Sequence, residues 1–151
     1  AIEKIEAGVV GMAGELQDDP LVGAEGIMTT DTHPKALSCS VGDATITWVA
    51  KGSGMIEPNM ATMLAYIFTD AALDAATLDA LLREAVDATF NQLTVDGDTS
   101  TSDTCALLAN GLAGVVDVDA FRRALHAGCL RMTETLARDG EGATRLLRVR
   151  V

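Results

Sequence analysis

The stretch Lys51-Gly-Ser-Gly-Met-Ile-Glu-Pro-Asn-Met-Ala-Thr62-Met-Leu-Ala-Tyr-Ile-Phe68 joins a loop that can bend sharply to a run of residues that must be buried. The two glycines of the loop permit backbone angles that other residues resist, and Pro58 fixes its own φ angle. The following residues, Met63 to Phe68, form an unbroken apolar run. Such a run predicts a strand covered on both faces. We therefore expect Thr62 to be held rigidly at the mouth of a buried strand.

A threonine in this position can act as a nucleophile if a base lies beside its hydroxyl group. One available base is the α-amine of Thr62 itself, once the Ala61–Thr62 peptide bond has been cleaved. Attack of the Thr62 hydroxyl on that bond, an N-to-O acyl shift and hydrolysis would free the amine. A free α-amine has a pKa of about 7.7–8.0 and is partly neutral near pH 7. A glycine-rich loop before a strand is more often only a turn, so the residues alone leave this hypothesis open.

The composition is that of a globular domain and argues against several classes of partner. The chain has 151 residues, 48% of them apolar and only three of them proline, which is enough for one hydrophobic core. Its formal net charge is −11, with 11 basic and 22 acidic residues. This charge disfavours binding to nucleic acids and to anionic membranes. No signal peptide or membrane span is recognisable, and we predict a cytoplasmic protein.

The periodicity of the apolar residues predicts an α/β or α+β fold in which a sheet and helices form layers. The amphipathic segment Ala1–Leu16 predicts a helix without a capping signal or initiator methionine, which suggests a chain that begins inside a longer protein. Asp18-Asp-Pro20 ends it, and a loop is expected as far as Gly26. The remaining predicted elements are a strand over 44–50, a strand over 63–68, a helix from Thr77 capped by Thr77 or Asp74, a buried strand or short helix over 105–110, a helix from Asp117 or Asp119 to Arg138, and a strand over 143–151.

Several polar residues are candidates for chemistry, and each also has a plain structural explanation. His33 could act in acid–base catalysis, but a surface or structural histidine is the commoner case. Lys51 is either a solvated loop lysine or a cation that grips a carboxylate. The oxygen-rich segment 96–103 lacks the glycine and glutamate positions of an EF-hand, so we expect its side chains to satisfy backbone groups near the nucleophile.

The three cysteines, Cys39, Cys105 and Cys129, are widely spaced and odd in number. They lack the paired spacing of a zinc site or a redox motif. We therefore predict free thiols in a reducing cytosol.

Four blocks of the sequence, in order, resemble the ornithine acetyltransferase family, the bifunctional glutamate N-acetyltransferases of arginine biosynthesis. From the first block to the last, the resemblance spans most of the chain. The blocks are Ile27-Met-Thr-Thr-Asp-Thr-His-Pro-Lys35, the junction Lys51 to Leu64, Thr94-Val-Asp-Gly-Asp-Thr-Ser-Thr-Ser-Asp-Thr104 with Leu107-Leu-Ala-Asn-Gly111, and Asp139-Gly-Glu-Gly-Ala-Thr144.

The resemblance implies a self-processing enzyme with an N-terminal threonine nucleophile. Residues 1–151 would be a single-domain fragment of a larger αββα-like sandwich. Cleavage at Ala61–Thr62 would make 1–61 the end of an α chain and 62–151 the start of a β chain, and two copies of each would assemble as an α2β2 heterotetramer.

The resemblance also implies roles for individual residues. Thr62 would be the catalytic nucleophile, and Lys51, Thr62 and Glu141 would bind the substrate, with Lys51 at its carboxylate and Glu141 at its amino group. The enzyme would move an acetyl group from N-acetylornithine to glutamate by a ping-pong mechanism without cofactor, metal or acetyl-CoA. The family's oxyanion hole and some substrate contacts would lie outside this chain. Arg145 departs from the lysine of the family block.

Two other functions remain open at this point. A self-processing aminopeptidase or amidase would use the same nucleophile with water as the acceptor. A non-catalytic acidic interaction domain would leave the Ala61–Thr62 bond intact.

Overall fold

A computed structural model describes residues 2–56, 63–98 and 100–150 of the chain. Four strands and four α-helices account for most of this part. In chain order they are α1 (Ile2–Val9), α2 (Pro20–Ile27), β1 (Lys35–Val41), β2 (Ala44–Lys51), β3 (Leu64–Ala72), α3 (Ala75–Ala88), β4 (Thr104–Val115) and α4 (Val118–Arg138), with short 3-10 turns at Met12–Gly14 and Phe90–Gln92. The mixed α/β class predicted from the sequence is confirmed.

The strands form one sheet in the order β1-β2-β3-β4. The first three strands are antiparallel neighbours, and β1 and β2 are joined by a tight turn at Gly42, whose φ of 60° suits glycine. Strands β3 and β4 are parallel, so the chain must cross over between them, and α3 makes that connection. Because Lys51 pairs with Leu64, the end of β2 and the start of β3 lie side by side.

Helices α3 and α4 cover one face of the sheet and form the core with it. Trp48 lies at the centre, 1% exposed, and α4 can approach it because position 128 is a glycine. A Cβ atom added at Gly128 would lie 2.1 Å from the Trp48 ring. The large buried side chains of this core are Ile46, Trp48 and Ile67 from the sheet and Phe121, Leu125, Met132 and Leu136 from α4.

The opposite face of the sheet is only partly covered. Val49 is buried on that side and Ala24 of α2, which packs against β1 and β2, is fully buried. Along β3, however, burial alternates, and Phe68 is 44% exposed. The prediction that β3 is covered on both faces is therefore wrong for the described chain, because α3 and α4 protect only one of them.

Several helix and strand boundaries were predicted correctly. Asp74 caps α3 by accepting a hydrogen bond from the Thr77 backbone N–H at 2.9 Å, and Asp117 caps α4 in the same way through Ala120 at 2.6 Å. The segment 105–110 is a strand, and β4 continues beyond it to Val115. Its predicted burial is wrong, because the residues of β4 are half-buried or exposed.

Four other predictions were wrong or incomplete. The first helix ends at Val9 instead of Leu16. Gly11, just beyond that end, takes a φ of 88°. The expected loop before Gly26 is helix α2, because Asp19 caps it and Pro20 occupies its first turn. Strand β1 was not predicted, and residues 143–150 form no regular strand. Three arginines interrupt the apolar residues of that last segment.

Within the described residues, no helix has both the length and the apolar character required to cross a bilayer.

Candidate functional site

Lys51 ends β2 in a buried position, with 6% of its surface exposed. Its Nζ atom donates a hydrogen bond to Thr29 Oγ1 at 3.0 Å. A buried ammonium group is costly unless polar groups or charges surround it. Lys51 is therefore not a solvated loop lysine, and its predicted role in binding a substrate carboxylate stays a prediction.

The loop after Lys51 is held by side chains from distant parts of the chain. The Gly52 N–H donates to Asp31 Oδ1 at 2.7 Å, and the Ser53 and Thr30 hydroxyl groups are 2.6 Å apart. Asp96 accepts hydrogen bonds from the Met55 N–H at 2.6 Å and from the Ile56 N–H at 3.1 Å.

The backbone of this loop is strained where it leads towards the predicted cleavage site. Met55 has a φ of 57°, a left-handed conformation that is uncommon outside glycine, and it is the one described non-glycine residue with a positive φ. Asp96 holds both Met55 and the next residue. The predicted sharp bend is therefore present, although its strain lies at a methionine.

Ala61 and Thr62, the predicted cleavage site and nucleophile, lie outside the described residues. The residue after them, Met63, is fixed through both of its backbone polar groups. Its N–H donates to Asp103 Oδ1 at 2.7 Å, and its carbonyl oxygen accepts from the Thr104 N–H at 3.1 Å. Asp96 and Asp103 thus satisfy backbone groups on the two sides of the junction, as predicted for the segment 96–103.

Glu141 is brought to the Lys51 loop from the far end of the chain. It lies just beyond α4, and its backbone N–H donates to the Ser53 carbonyl oxygen at 2.5 Å. Its carboxylate lies over Gly54, because a Cβ atom added at Gly54 would be 2.6 Å from Glu141 Oε2. Glu141 is exposed, so this carboxylate is available to a ligand.

A buried ion cluster of Asp31, Lys35 and Asp139 lies beside these loops. Lys35 Nζ is 2.6 Å from Asp31 Oδ1 and 2.5 Å from Asp139 Oδ2, and the three side chains are 0%, 1% and 2% exposed for Lys35, Asp31 and Asp139. Thr32 also donates to Asp139, from its backbone N–H at 3.0 Å and from its hydroxyl group.

Hydrogen bonds keep both carboxylates of the cluster ionised. Burial alone would raise the pKa of Asp31, but the Gly52 N–H, Lys35 and the Thr29 N–H together hold that pKa below its ordinary value. Burial opposes ionisation of Asp139 as well, and Lys35 and Thr32 lower its pKa. Both groups are therefore carboxylates at neutral pH.

His33 lies beside the buried ion cluster. Its side chain is half exposed, and its Nδ1 atom lies 3.5 Å from Asp139 Oδ1. Among the described residues, no group of three histidine, cysteine or acidic side chains could hold a metal ion. The three cysteines are free, and burial raises the pKa of Cys105 to about 12 and that of Cys129 to about 11. Neither of these two thiols is an activated nucleophile.

The structure adds residues for which the sequence predicted no role. Thr29 holds Lys51, and the buried ion cluster supports both loops. Periodicity could not reveal the cluster, because Asp139 is 104 residues from Lys35 in the sequence and the cluster residues lie in loops or at the ends of elements. The available signal was the density of short polar residues around Asp31.

Replacing Gly54 with alanine is expected to lower activity with little loss of stability. The new methyl group would displace the flexible end of Glu141, which costs little in stability. Glu141 is predicted to orient the substrate, and a shift of about 1 Å in such a group can cost up to about a hundredfold in rate. We expect kcat/KM to fall roughly tenfold or more.

The matched control is Gly23→Ala in α2, where an added Cβ meets no atom within 4 Å. Steady-state kinetics and thermal unfolding of both variants make the comparison. Equal activities for the two variants would contradict a role for the Glu141 carboxylate.

Replacing Asp103 with asparagine is expected to change the pH dependence of stability. Burial raises the pKa of Asp103, although Met63 and Lys51 oppose the rise. The native state then binds more protons than the unfolded state between the two pKa values, so this group destabilises the fold as pH rises through that interval. Asparagine can still accept from the Met63 N–H. We expect its Tm relative to that of the parent to be higher at pH 7 than at pH 3; an unchanged difference would contradict the raised pKa.

Comparison with known proteins identifies the family of this chain. The ArgJ family model matches residues 1–151. "Arginine biosynthesis bifunctional protein ArgJ 2" of Nostoc sp. (strain PCC 7120) is 53% identical over 151 residues, which cover 99% of this chain and 39% of that protein. "Glutamate N-acetyltransferase Oat2" of Streptomyces clavuligerus is 54% identical over 128 residues, covering 85% of this chain and 33% of that protein.

A solved structure agrees with these sequence relatives. The crystal structure of the arginine biosynthesis bifunctional protein argJ from Bacillus halodurans matches with a TM-score of 0.53 and 41% identity, over 56% of this chain and 43% of that one. The chain spans about a third to two fifths of the length of the curated relatives above. With its whole length matched by the family model, the chain belongs to the ArgJ family.

Proposed function

We propose that the protein to which this chain belongs transfers an acetyl group from N-acetylornithine to glutamate. The observation that carries the proposal is the approach of the Glu141 turn to the loop that follows Lys51, through the 2.5 Å hydrogen bond from the Glu141 N–H to the Ser53 carbonyl oxygen. A buried cation and an exposed carboxylate suit the two ends of an amino acid. The names of the relatives, a glutamate N-acetyltransferase and bifunctional proteins of arginine biosynthesis, agree with this substrate class.

The proposed activation step is self-cleavage between Ala61 and Thr62. The Thr62 hydroxyl group attacks the Ala61 carbonyl carbon, the peptide C–N bond breaks, and an ester and a free amine result. Water then hydrolyses the ester, which restores the hydroxyl group and leaves Thr62 as a new N-terminus. The strained Met55 and the fixed Met63 lie on either side of this junction.

The proposed transfer has two balanced steps. The Thr62 hydroxyl group attacks the acetyl carbonyl of N-acetylornithine while the Thr62 amine takes its proton, and that proton passes to ornithine as the C–N bond breaks. Glutamate then attacks the acetyl ester through its amino group and leaves as N-acetylglutamate, and the proton returns to the Thr62 oxygen. Lys51 and Glu141 orient both amino acids. No cofactor is needed, because N-acetylornithine itself supplies the acetyl group.

The proposal also states how the processed chains assemble and where the protein acts. The α and β chains produced by cleavage would remain associated, with two of each in the complete enzyme. The enzyme would act in the cytoplasm, in arginine biosynthesis. Gel filtration with intact mass measurement of the processed protein tests the assembly.

The decisive experiment follows a labelled acetyl group. Purified full-length protein is incubated with N-acetylornithine carrying ¹³C in its acetyl group, with and without glutamate, and its N-termini are sequenced. We expect an N-terminus at Thr62 and labelled N-acetylglutamate formed in a one-to-one ratio with ornithine. Labelled acetate as the main product in the presence of glutamate would instead identify a hydrolase. An uncleaved protein without product would favour an interaction domain.

A further inference from the structure

The buried ion cluster joins the two loops that carry the proposed substrate-binding residues. Lys35, at the start of β1, contacts Asp31 from the preceding loop and Asp139 from the end of α4. All three side chains are at least 98% buried. Removing three charged groups from water is expensive, and apolar residues could fill the same space at lower cost. The cluster therefore invites an explanation other than stability.

Asp31 fixes the surroundings of Lys51 on two sides. Its Oδ1 atom accepts from the N–H of Gly52, the residue that follows Lys51, at 2.7 Å. Its Oδ2 atom accepts from the Thr29 N–H at 3.2 Å, and the Thr29 hydroxyl group in turn holds Lys51 Nζ at 3.0 Å. A shift of Asp31 would move both the backbone that carries Lys51 and the hydroxyl group that holds its ammonium group.

Asp139 fixes the origin of the Glu141 turn in the same manner. It follows the last residue of α4, and its carboxylate is held by Lys35 and by both donors of Thr32. Glu141 lies two residues further on and is tied by its backbone to Ser53. Between them, Gly140 is packed tightly, since an added Cβ would lie 3.1 Å from Val95. A shift of Asp139 would therefore move Glu141 as well, because a short, constrained segment joins the two residues.

We propose that Asp31, Lys35 and Asp139 form a positioning cluster that sets the separation between the Lys51 ammonium group and the Glu141 carboxylate. The inference rests on the proposed function, because that separation selects an amino-acid substrate of matching length. Charge-assisted hydrogen bonds are directional, whereas apolar contacts are not, so a charged cluster can fix two irregular loops relative to each other. None of the three side chains touches the substrate; they act through Lys51 and Glu141.

The test uses Asp31→Asn and Asp139→Asn in the full-length protein, since each change keeps the shape of the side chain. KM for N-acetylornithine is compared with the rate at which p-nitrophenyl acetate acetylates Thr62, because that small ester lacks the amino-acid groups bound by Lys51 and Glu141. We expect KM to rise about tenfold or more, with acetylation by the ester within about twofold of the parent. An unchanged KM, or an equal loss in both reactions, would overturn the proposal.

A second measurement separates this proposal from the proposed function. Amide hydrogen exchange should become faster at Glu141 in Asp139→Asn and at Gly52 in Asp31→Asn, each at least about tenfold, without the same change at the other loop. The control is Asp79→Asn, which breaks an exposed ion pair with Arg83. If the parent protein transfers no acetyl group but exchange responds in this pattern, the positioning role stands and the substrate assignment fails. Exchange that is unchanged at both loops overturns the positioning role itself.

Discussion

Replacing Thr62 with alanine is expected to abolish both self-cleavage and acetyl transfer. The variant lacks the hydroxyl group that attacks the Ala61 carbonyl, so no new N-terminus forms and the amine that serves as the base is never released. The nucleophile and its base act as a unit, and removing both commonly lowers kcat by about 10⁴-fold or more. Intact mass, N-terminal sequencing and transfer of a labelled acetyl group measure the two losses separately.

The controls for this prediction are Thr62→Ser and Thr101→Ala. Serine keeps a hydroxyl group at the same position, so cleavage and transfer should be reduced but detectable. Thr101 is an exposed threonine of the connection before β4, and its replacement should change neither reaction. Complete cleavage of the Thr62→Ala chain at the same bond would exclude Thr62 as the nucleophile of self-processing.

The parts of the fold with strong periodicity could be predicted from the sequence. Helices α3 and α4 combine a regular apolar face with an aspartate cap, and β2 alternates from Ala44 to Ala50. These signals are local and need no knowledge of the rest of the molecule. The core positions of α4 follow from the same periodicity, so the helical layer of the fold was within reach of the sequence.

The remaining elements depend on information that is not local. Strand β1 is amphipathic but carries two serines and a cysteine, and its pairing with β2 decides its conformation. Helix α2 contains two glycines, Gly23 and Gly26, which weakened its helical signal despite its Asp19 cap. The end of the chain, 143–150, has apolar residues at strand spacing, yet no described strand pairs with it.

Part of the candidate site was named from the sequence. The residues that hold its loops in place were not. The resemblance pointed to Lys51 and Glu141, and the structure brings their two loops together. Thr62 stays a prediction. The residues that hold these loops, Asp31 and Asp139 above all, contact partners about 20 and 100 residues away, which no sequence pattern reveals. Short polar side chains in loops look alike in a sequence whether they are solvated or buried.

Replacing Lys35 with methionine is expected to lower the free energy of unfolding by about 3–5 kcal/mol, because two buried carboxylates would remain without their counter-ion. Methionine matches the unbranched stem of lysine, so the packing is retained and the charge is lost. Denaturant unfolding at pH 7 measures the change. The control is Arg83→Met, which removes an exposed partner of Asp79 and should lower the free energy of unfolding far less.

The pH dependence of the same variant identifies the cause of its instability. In the parent, Asp31 and Asp139 have lowered pKa values, so their stabilising contribution is present above the unfolded carboxyl pKa, near pH 4, and is lost as pH falls through the lower folded values. In Lys35→Met the carboxylates repel each other and protonation relieves them, so the difference from the parent should shrink as the pH is lowered to about 3. Adding Asp31→Asn and Asp139→Asn to Lys35→Met should recover most of the lost stability at pH 7, since the cluster is then neutral. A triple variant as unstable as Lys35→Met would show that the lysine stabilises the fold through packing and not through its charge.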